Sequence, residues 1–176
     1  MTSGIKIKEM RVTPVAIADP PLRSSYGLHQ PYALRNILEF ESEDGVIGVS
    51  ETYGGEAPRE ILLNLGKEIV GSEPHRLTGC LRDMLTRLSD HEDRSQTHLV
   101  PGENPVDANR RTYAAIEVGC LDLIGKSLGK PVCDLLGGRV RDRVPFSAYP
   151  FYKHTGGGGE GQDAREDKYG ECLSPE

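Results

Sequence analysis

One stretch decides the fold of this chain: residues 113–131 read YAAIEVGCLDLIGKSLGKP, and residues 135–138 follow as LLGG. Its apolar residues recur every three or four positions, which predicts a long amphipathic helix over residues 107–128. Gly129 is placed to end that helix, and Pro131 opens a short helical turn before Gly137 and Gly138. The predicted apolar face consists of Tyr113, Ile116, Cys120, Leu123 and Ile124. A helix with one apolar face needs a second layer to bury it.

Three upstream segments predict that second layer. Residues 5–18, 33–42 and 46–53 place apolar side chains mostly at every second position, as strands with one buried face do. Glu43-Asp44-Gly45 makes the turn between the last two strands. Helical periodicity then begins near Pro58, stops at Gly71, and resumes over residues 73–88. The predicted fold class is α+β, with a three-stranded antiparallel sheet covered by helices.

The segment downstream of the long helix is expected to hold one more strand, over residues 143–152. Beyond it the chain is polar, and the glycine run 156–159 lacks the Lys-Ser/Thr pair of a phosphate-binding loop, so we interpret it as a flexible or lid-like loop. Ser174-Pro175-Glu176 carries the signals that begin a helix. We therefore expect the chain to stop where a further helix should start.

Composition excludes several classes of partner. The 21 Lys and Arg against 27 Asp and Glu give a net charge of −6 without a basic stripe, which argues against nucleic acid. No apolar run approaches the roughly 20 residues that cross a bilayer, and no signal-like segment is present, so we expect no membrane partner and a cytoplasmic location. The four cysteines show no zinc spacing and are interpreted as reduced thiols, with Cys120 as core filler.

Few residues suggest chemistry on their own. His29 lies in a loop between Tyr26 and Tyr32, where an imidazole could donate to a carboxylate, although an incidental surface histidine is the simpler interpretation. Tyr149 could point into a cavity or fill the core. Glu117 and Asp122 are five residues apart on the long helix and therefore face different sides, so they form no evident acid/base or metal pair.

The series A-I-E, D-x-x-G-K, G-x-P and L-L-G-G within residues 113–138 closely resembles the mandelate racemase-like branch of the enolase superfamily. Segments 19–22, 27–32, 51–55, 101–107 and 149–152 are similar to glucarate dehydratases. The resemblance implies an enolase-type capping domain over residues 1–138. Residues 139–176 would then begin a TIM-like barrel, of which only the first strand is present.

The resemblance also implies a function: Mg²⁺-dependent dehydration of D-glucarate to 5-dehydro-4-deoxy-D-glucarate. The family's bases and magnesium ligands lie on later barrel strands, so we assign no catalytic and no metal-binding residue and expect this chain to be inactive alone. Substrate contacts carry over to His29 and Tyr149, and less directly to Thr97. Alternatives are a dehydratase or epimerase for another acid sugar, such as L-idarate, or a non-catalytic binding or oligomerisation module. A homo-oligomer is left open.

Overall fold

The computed structural model describes residues 5–18, 23–24, 27–28, 32–77 and 105–148. Its strands are β1 (Ile7–Ala18), β2 (Arg23–Ser24), β3 (Gly27–Leu28), β4 (Tyr32–Ser42) and β5 (Ile47–Tyr53). Its helices are α1 (Glu56–Ile69), α2 (Pro105–Leu128) and the short α3 (Val132–Leu135), with a 3₁₀ turn at Pro74–Arg76. The predicted α+β class is confirmed.

The main sheet has three strands in the order β1-β4-β5, so β4 is central, and it is antiparallel as predicted. The β4–β5 turn closes where the sequence predicts it, since Ser42 donates to Val46 O at 2.9 Å and Gly45 donates to Ser42 O at 3.0 Å. Gly45 has φ of 80°, a conformation that favours glycine. β4 and β5 therefore form the predicted hairpin.

Strict alternation fails in β1. Ile7 is fully buried, yet the next side chains packed against the core are Met10 and Val12, so the inward positions change from odd to even. In β4 the inward positions Asn36, Leu38 and Phe40 keep the expected period of two, whereas Leu34 is 52% exposed. The period-2 rule thus located the strands but not every inward residue.

One core joins the sheet to the helices. α1 contributes Leu62, Leu65 and Ile69, and its start at Glu56 is two residues earlier than the predicted Pro58. α2 contributes residues of the predicted apolar face, Ile116, Cys120 and Leu123, which are all buried. Of the second predicted helix, residues 73–88, the structure describes only the beginning through Leu77, which joins the same core.

Glycines let α2 and β5 approach closely. A Cβ at Gly48 would lie 2.7 Å from Leu123 Cβ and nearer still to Gly119 O, and a Cβ at Gly119 would lie 2.5 Å from Phe40 Cδ2. Ser50 adds a buried hydrogen bond, with its Oγ donating to Ala115 O at 2.6 Å. The helix backbone therefore rests directly on the strand.

The C-terminal end of α2 follows the sequence prediction. Gly129 has φ of 63°, and Lys130 N donates to Gly125 O at 2.8 Å, which closes the helix with a left-handed residue. α3 comes directly after Pro131 and ends before Gly137 and Gly138, whose φ values are 105° and 104°. The predicted short helical turn is confirmed.

The strand predicted from the residue pattern over residues 143–152 is wrong over residues 143–148, which have no regular secondary structure and are exposed. Residues 149–152 lie outside the described part of the chain. A strand persists when its N–H and C=O groups pair with a neighbouring strand, and no described segment pairs with residues 143–148. Val144 and Phe146 are 63% and 92% exposed.

By its internal contacts the chain divides into two compact units. One comprises Met1–Pro14 and Asn36–Val140, and the other Val15–Arg35 and Arg141–Glu176. The predicted domain boundary between residues 138 and 139 stays a prediction. Within the described residues, no helix combines the length and apolar character that crossing a membrane requires.

Candidate functional site

The three predicted substrate contacts, His29, Thr97 and Tyr149, all lie outside the described residues. His29 comes directly after β3 in sequence, and Tyr149 directly after the exposed segment 141–148. The described part of the structure therefore does not test whether these three residues lie close together. Their role in binding stays a prediction.

The described part of the predicted substrate loop, between β1 and β4, contains a small hairpin. β2 and β3 pair antiparallel in the register Arg23 with Leu28 and Ser24 with Gly27. Two-residue strands hold few hydrogen bonds, so this pairing is a local feature of the loop and not an extension of the main sheet. The sequence predicted a polar loop here and no strand.

Polar groups gather where β5 ends. Asn36 is fully buried and its Nδ2 donates to Tyr53 O at 3.0 Å, which holds the last residue of the strand. The guanidinium carbon of Arg111 lies 4.8 Å from the centroid of the Tyr53 ring, within the range of a cation–π contact. Tyr53 is 55% exposed. This end of the sheet thus presents a phenol and a guanidinium, groups that suit carboxylates and hydroxyls.

Two buried polar atoms in the same unit lack hydrogen-bond partners among the described residues, Asn36 Oδ1 and Arg59 Nε. Arg59 lies in the first turn of α1, where its Nη1 donates to Glu56 Oε1 at 3.2 Å. Buried polar atoms without partners are uncommon in folded proteins. Both residues lie near the β5–α1 connection, since Asn36 bonds to Tyr53 and Arg59 lies at the start of α1.

Acidic side chains on β1 and β4 are engaged by cations. Glu41 accepts from Lys8 Nζ at 2.7 Å and from Arg11 Nη1 at 2.8 Å, and Arg11 also contacts Glu9 at 2.8 Å and Glu39 at 3.4 Å. The hydrogen bonds from Arg11 and Lys8 lower the pKa of Glu41 to about 2. These carboxylates are therefore neutralised by side chains of the protein itself.

The described residues do not fit the magnesium ion that the resemblance implies. They contain no group of three or more His, Cys, Asp or Glu side chains that could hold a metal ion. Magnesium requires oxygen ligands converging on one point, whereas the Glu41 cluster is centred on a guanidinium. No reaction step is therefore assigned to a metal held by these residues.

The remaining titratable groups of α2 act as structural elements. Burial, and then the charge of Glu117, raise the pKa of the Cys120 thiol to about 12, so this cysteine is protonated core filler as predicted. Burial and Glu117 also raise the pKa of Tyr113. Glu117 itself is exposed on the helix surface. Cys120 and Cys133 are both free thiols, in agreement with the sequence prediction for these two. Cys80 and Cys172 lie outside the described residues.

Sequence reasoning missed Asn36, Tyr53 and Arg111 as a group. One signal was present: Asn36 occupies an inward position of an alternating strand, and a polar residue there must find a hydrogen-bond partner. No local pattern connects Arg111 to Tyr53, because the two residues are far apart in sequence. That contact depends on the packing of α2 against β5.

The chain is similar in sequence to one protein family and to several known relatives. The family model for the mandelate racemase / muconate lactonizing enzyme N-terminal domain matches residues 7–137. A probable glucarate dehydratase of Streptomyces coelicolor is 39% identical over 185 residues, covering 99% of this chain and 41% of the relative. Muconate cycloisomerase 1 of Acinetobacter baylyi is 32% identical over 111 residues, covering 62% of this chain and 28% of the relative.

Solved structures of enolases share the fold of this chain. An enolase from Pseudomonas fluorescens, crystallised with magnesium, potassium and tartrate, superposes with a TM-score of 0.84 at 38% identity, covering 97% of this chain and 40% of that one. An enolase from Thermobispora bispora, in complex with magnesium and formate, superposes with a TM-score of 0.80 at 40% identity, covering 98% of this chain and 40% of that one. The chain thus spans about two fifths of the length of these relatives.

Proposed function

We propose that this chain, which belongs to the mandelate racemase / muconate lactonizing enzyme family of the enolase superfamily, forms the amino-terminal part of an acid-sugar dehydratase acting on D-glucarate. The family membership follows from the match over residues 7–137. The activity and the substrate are the proposal. It concerns the whole enzyme, of which these residues would form the capping domain.

One observation carries the proposal: the similarity to a probable glucarate dehydratase extends over 99% of the chain at 39% identity. Muconate cycloisomerase 1 matches only 62% of the chain at 32% identity. The Pseudomonas fluorescens enzyme was crystallised with tartrate, a four-carbon hydroxy-diacid that has the same end groups as the six-carbon glucarate. A diacid sugar is therefore the substrate class with most support.

Within this proposal the chain supplies contacts to the substrate and not the reacting groups. His29, Tyr149 and Thr97 would donate hydrogen bonds to a carboxylate and hydroxyls of the diacid, which fixes its orientation. Dehydration requires a base to take the proton beside a carboxylate and a metal to stabilise the resulting dianion. The acids of the described β1–β4 cluster are paired with Arg11 and Lys8, which makes them unsuited to either role.

Two preparations test this proposal. The 176-residue chain is assayed with Mg²⁺ and D-glucarate, and no dehydration is expected. The same chain is then joined to the remaining residues of the Streptomyces coelicolor relative, and this chimera is expected to dehydrate D-glucarate. Activity of the 176-residue chain alone would contradict the assignment of the reacting groups. A chimera that accepts only another acid sugar would contradict the substrate.

A matched pair of histidine variants tests the capping contact in the chimera. His29→Ala should lower kcat/KM by roughly 10- to 100-fold, the effect of losing a hydrogen bond to a charged group. His75→Ala is the control, because the His75 side chain is 56% exposed and its Nε2 lies 3.2 Å from Glu73 Oε2 in an ion pair. Equal effects of the two substitutions would remove His29 from the binding site.

A further inference from the structure

The D-x-x-G-K motif at residues 122–126 has an unexpected position on the sheet. Asp122 Oδ2 accepts a hydrogen bond from Val49 N at 2.8 Å, and Lys126 Nζ donates to Ile47 O at 2.9 Å. The two side chains also contact each other at 2.7 Å. In the described structure β5 is an edge strand of the main sheet. The two side chains therefore hydrogen-bond to neighbouring backbone groups of β5 that point away from β4.

These backbone groups are the ones that another strand would use. In an antiparallel ladder, alternate residues present their N–H and C=O groups to the same neighbour, and residues 47 and 49 are such a pair. Unpaired edge groups recruit further strands, and proteins block them with charged side chains. Here the block comes from a helix that is 73 to 79 residues further along the chain.

β1 forms the opposite edge of the main sheet, and its backbone groups have other hydrogen-bond partners. Ile7 donates to Ser72 O at 3.0 Å and accepts from Gly71 N at 2.7 Å, so the start of β1 is paired with the turn after α1. Pro14, further along β1, has no N–H to offer. Backbone hydrogen bonds thus cover the start of β1, whereas two charged side chains cover β5.

The site favours the ionised pair. Burial opposes ionisation of Asp122, but hydrogen bonds from Lys126 and the Val49 amide, with the charge of Lys126, outweigh it and lower the pKa of Asp122. Gly125 belongs to the same motif, and a Cβ there would lie 2.7 Å from Lys130 O. The contacts of Asp122, Gly125 and Lys126 therefore explain why these residue types stand in the motif.

We propose that Asp122 and Lys126 form an edge lock, a pair of helix side chains that closes β5 against pairing with β5 of a second copy of this chain. Removal of the edge lock exposes Val49 N–H and Ile47 O. Two exposed copies of β5 can then pair antiparallel across a two-fold axis and join their sheets. This inference is independent of the proposed function.

The test compares the 176-residue chain with Asp122→Ala/Lys126→Ala and with the control Lys67→Ala. Lys67 is an exposed lysine of α1 whose Nζ donates to Asn64 Oδ1 at 3.3 Å, so its removal changes the charge at a helix surface. At concentrations too low for self-association, hydrogen exchange should be roughly tenfold faster at the Val49 amide of the double variant, the effect of losing a hydrogen bond to a charged group. Sedimentation velocity should show self-association at concentrations where the wild type and the control show none.

A second pair of variants identifies the surface that associates. Lys126→Met keeps the alkyl stem and removes only the cation, so it tests the edge lock even if the double variant does not fold. Lys126→Met frees Ile47 O, and a paired strand would also need the Val49 N–H in place of Asp122. Adding Val49→Pro removes that N–H and should reverse the association of Lys126→Met. If Lys126→Met sediments like the wild type, or if Val49→Pro does not reverse its association, the proposal is wrong.

Discussion

Replacement of Gly119 by alanine tests how closely α2 rests on the sheet. A Cβ at this position would lie 2.5 Å from Cδ2 and 3.0 Å from Cζ of Phe40, with Cε2 nearer still. Phe40 is fully buried in the core, where side chains are close-packed and a ring has little room to move. The backbone of α2 or the ring must move.

The expected loss of stability is the difference of two effects. Overpacking a core costs about 1–3 kcal/mol, and contacts this short place Gly119→Ala at the upper end. Alanine in place of glycine stabilises a helix by about 1 kcal/mol. The net loss is therefore about 2 kcal/mol, which should lower Tm by roughly 4–8 °C for a chain of this size.

Urea unfolding followed by far-UV circular dichroism measures the effect, and Gly66→Ala is the matched control. Gly66 lies in α1, where the nearest atom to a new Cβ is the flexible Met10 sulfur at 3.2 Å, so the same substitution should be neutral or stabilising. In a double-mutant cycle, Phe40→Leu should recover part of the loss caused by Gly119→Ala. A Gly119→Ala midpoint at or above that of the wild type refutes the close-packing argument.

Two further predictions concern titratable groups. Because the pKa of Glu41 is lowered from 4.5 to about 2 by Arg11 and Lys8, its contribution to stability is complete above pH 4.5 and is lost as pH falls toward 2. Urea midpoints between pH 2 and 6 should therefore fall more steeply for the wild type than for Glu41→Gln, and parallel profiles would contradict this. Iodoacetamide at pH 8 should modify the Cys133 peptide of the native chain and spare Cys120, whose pKa is about 12, until urea unfolds the protein. Site-resolved mass spectrometry measures both peptides, and equal labelling of the two would contradict the burial of Cys120.

Much of the fold could be predicted because local signals agreed with packing. The 3.6-residue period predicted α2 and its buried residues Ile116, Cys120 and Leu123, and the Glu43-Asp44-Gly45 turn predicted the β4–β5 hairpin. These features depend on neighbours in sequence. The interruption of alternation in β1 was not predicted, since it depends on how the strand pairs and not on its own residues.

The candidate site was harder to predict. Asn36 carried a sequence signal through its inward position, but the contact of Arg111 with Tyr53 arises only when α2 packs on the sheet. The predicted strand over residues 143–152 failed where it is described for a related reason. Its alternating residues Val144 and Phe146 suit a strand, but strand formation also needs a partner that these residues do not supply.

The distance in sequence between β5 and the helix that completes it has a consequence for synthesis. The bonds of Ser50, Val49 and Ile47 to α2 join residues 65, 73 and 79 positions apart. At about 5–20 residues per second, a ribosome needs roughly 4–15 s to produce that interval. During this time the apolar face of the nascent sheet lacks the residues that α2 contributes, and the β5 edge is open. Chaperone contact with the nascent chain should therefore be strongest after Tyr53 has emerged and should end once Lys126 has left the exit tunnel.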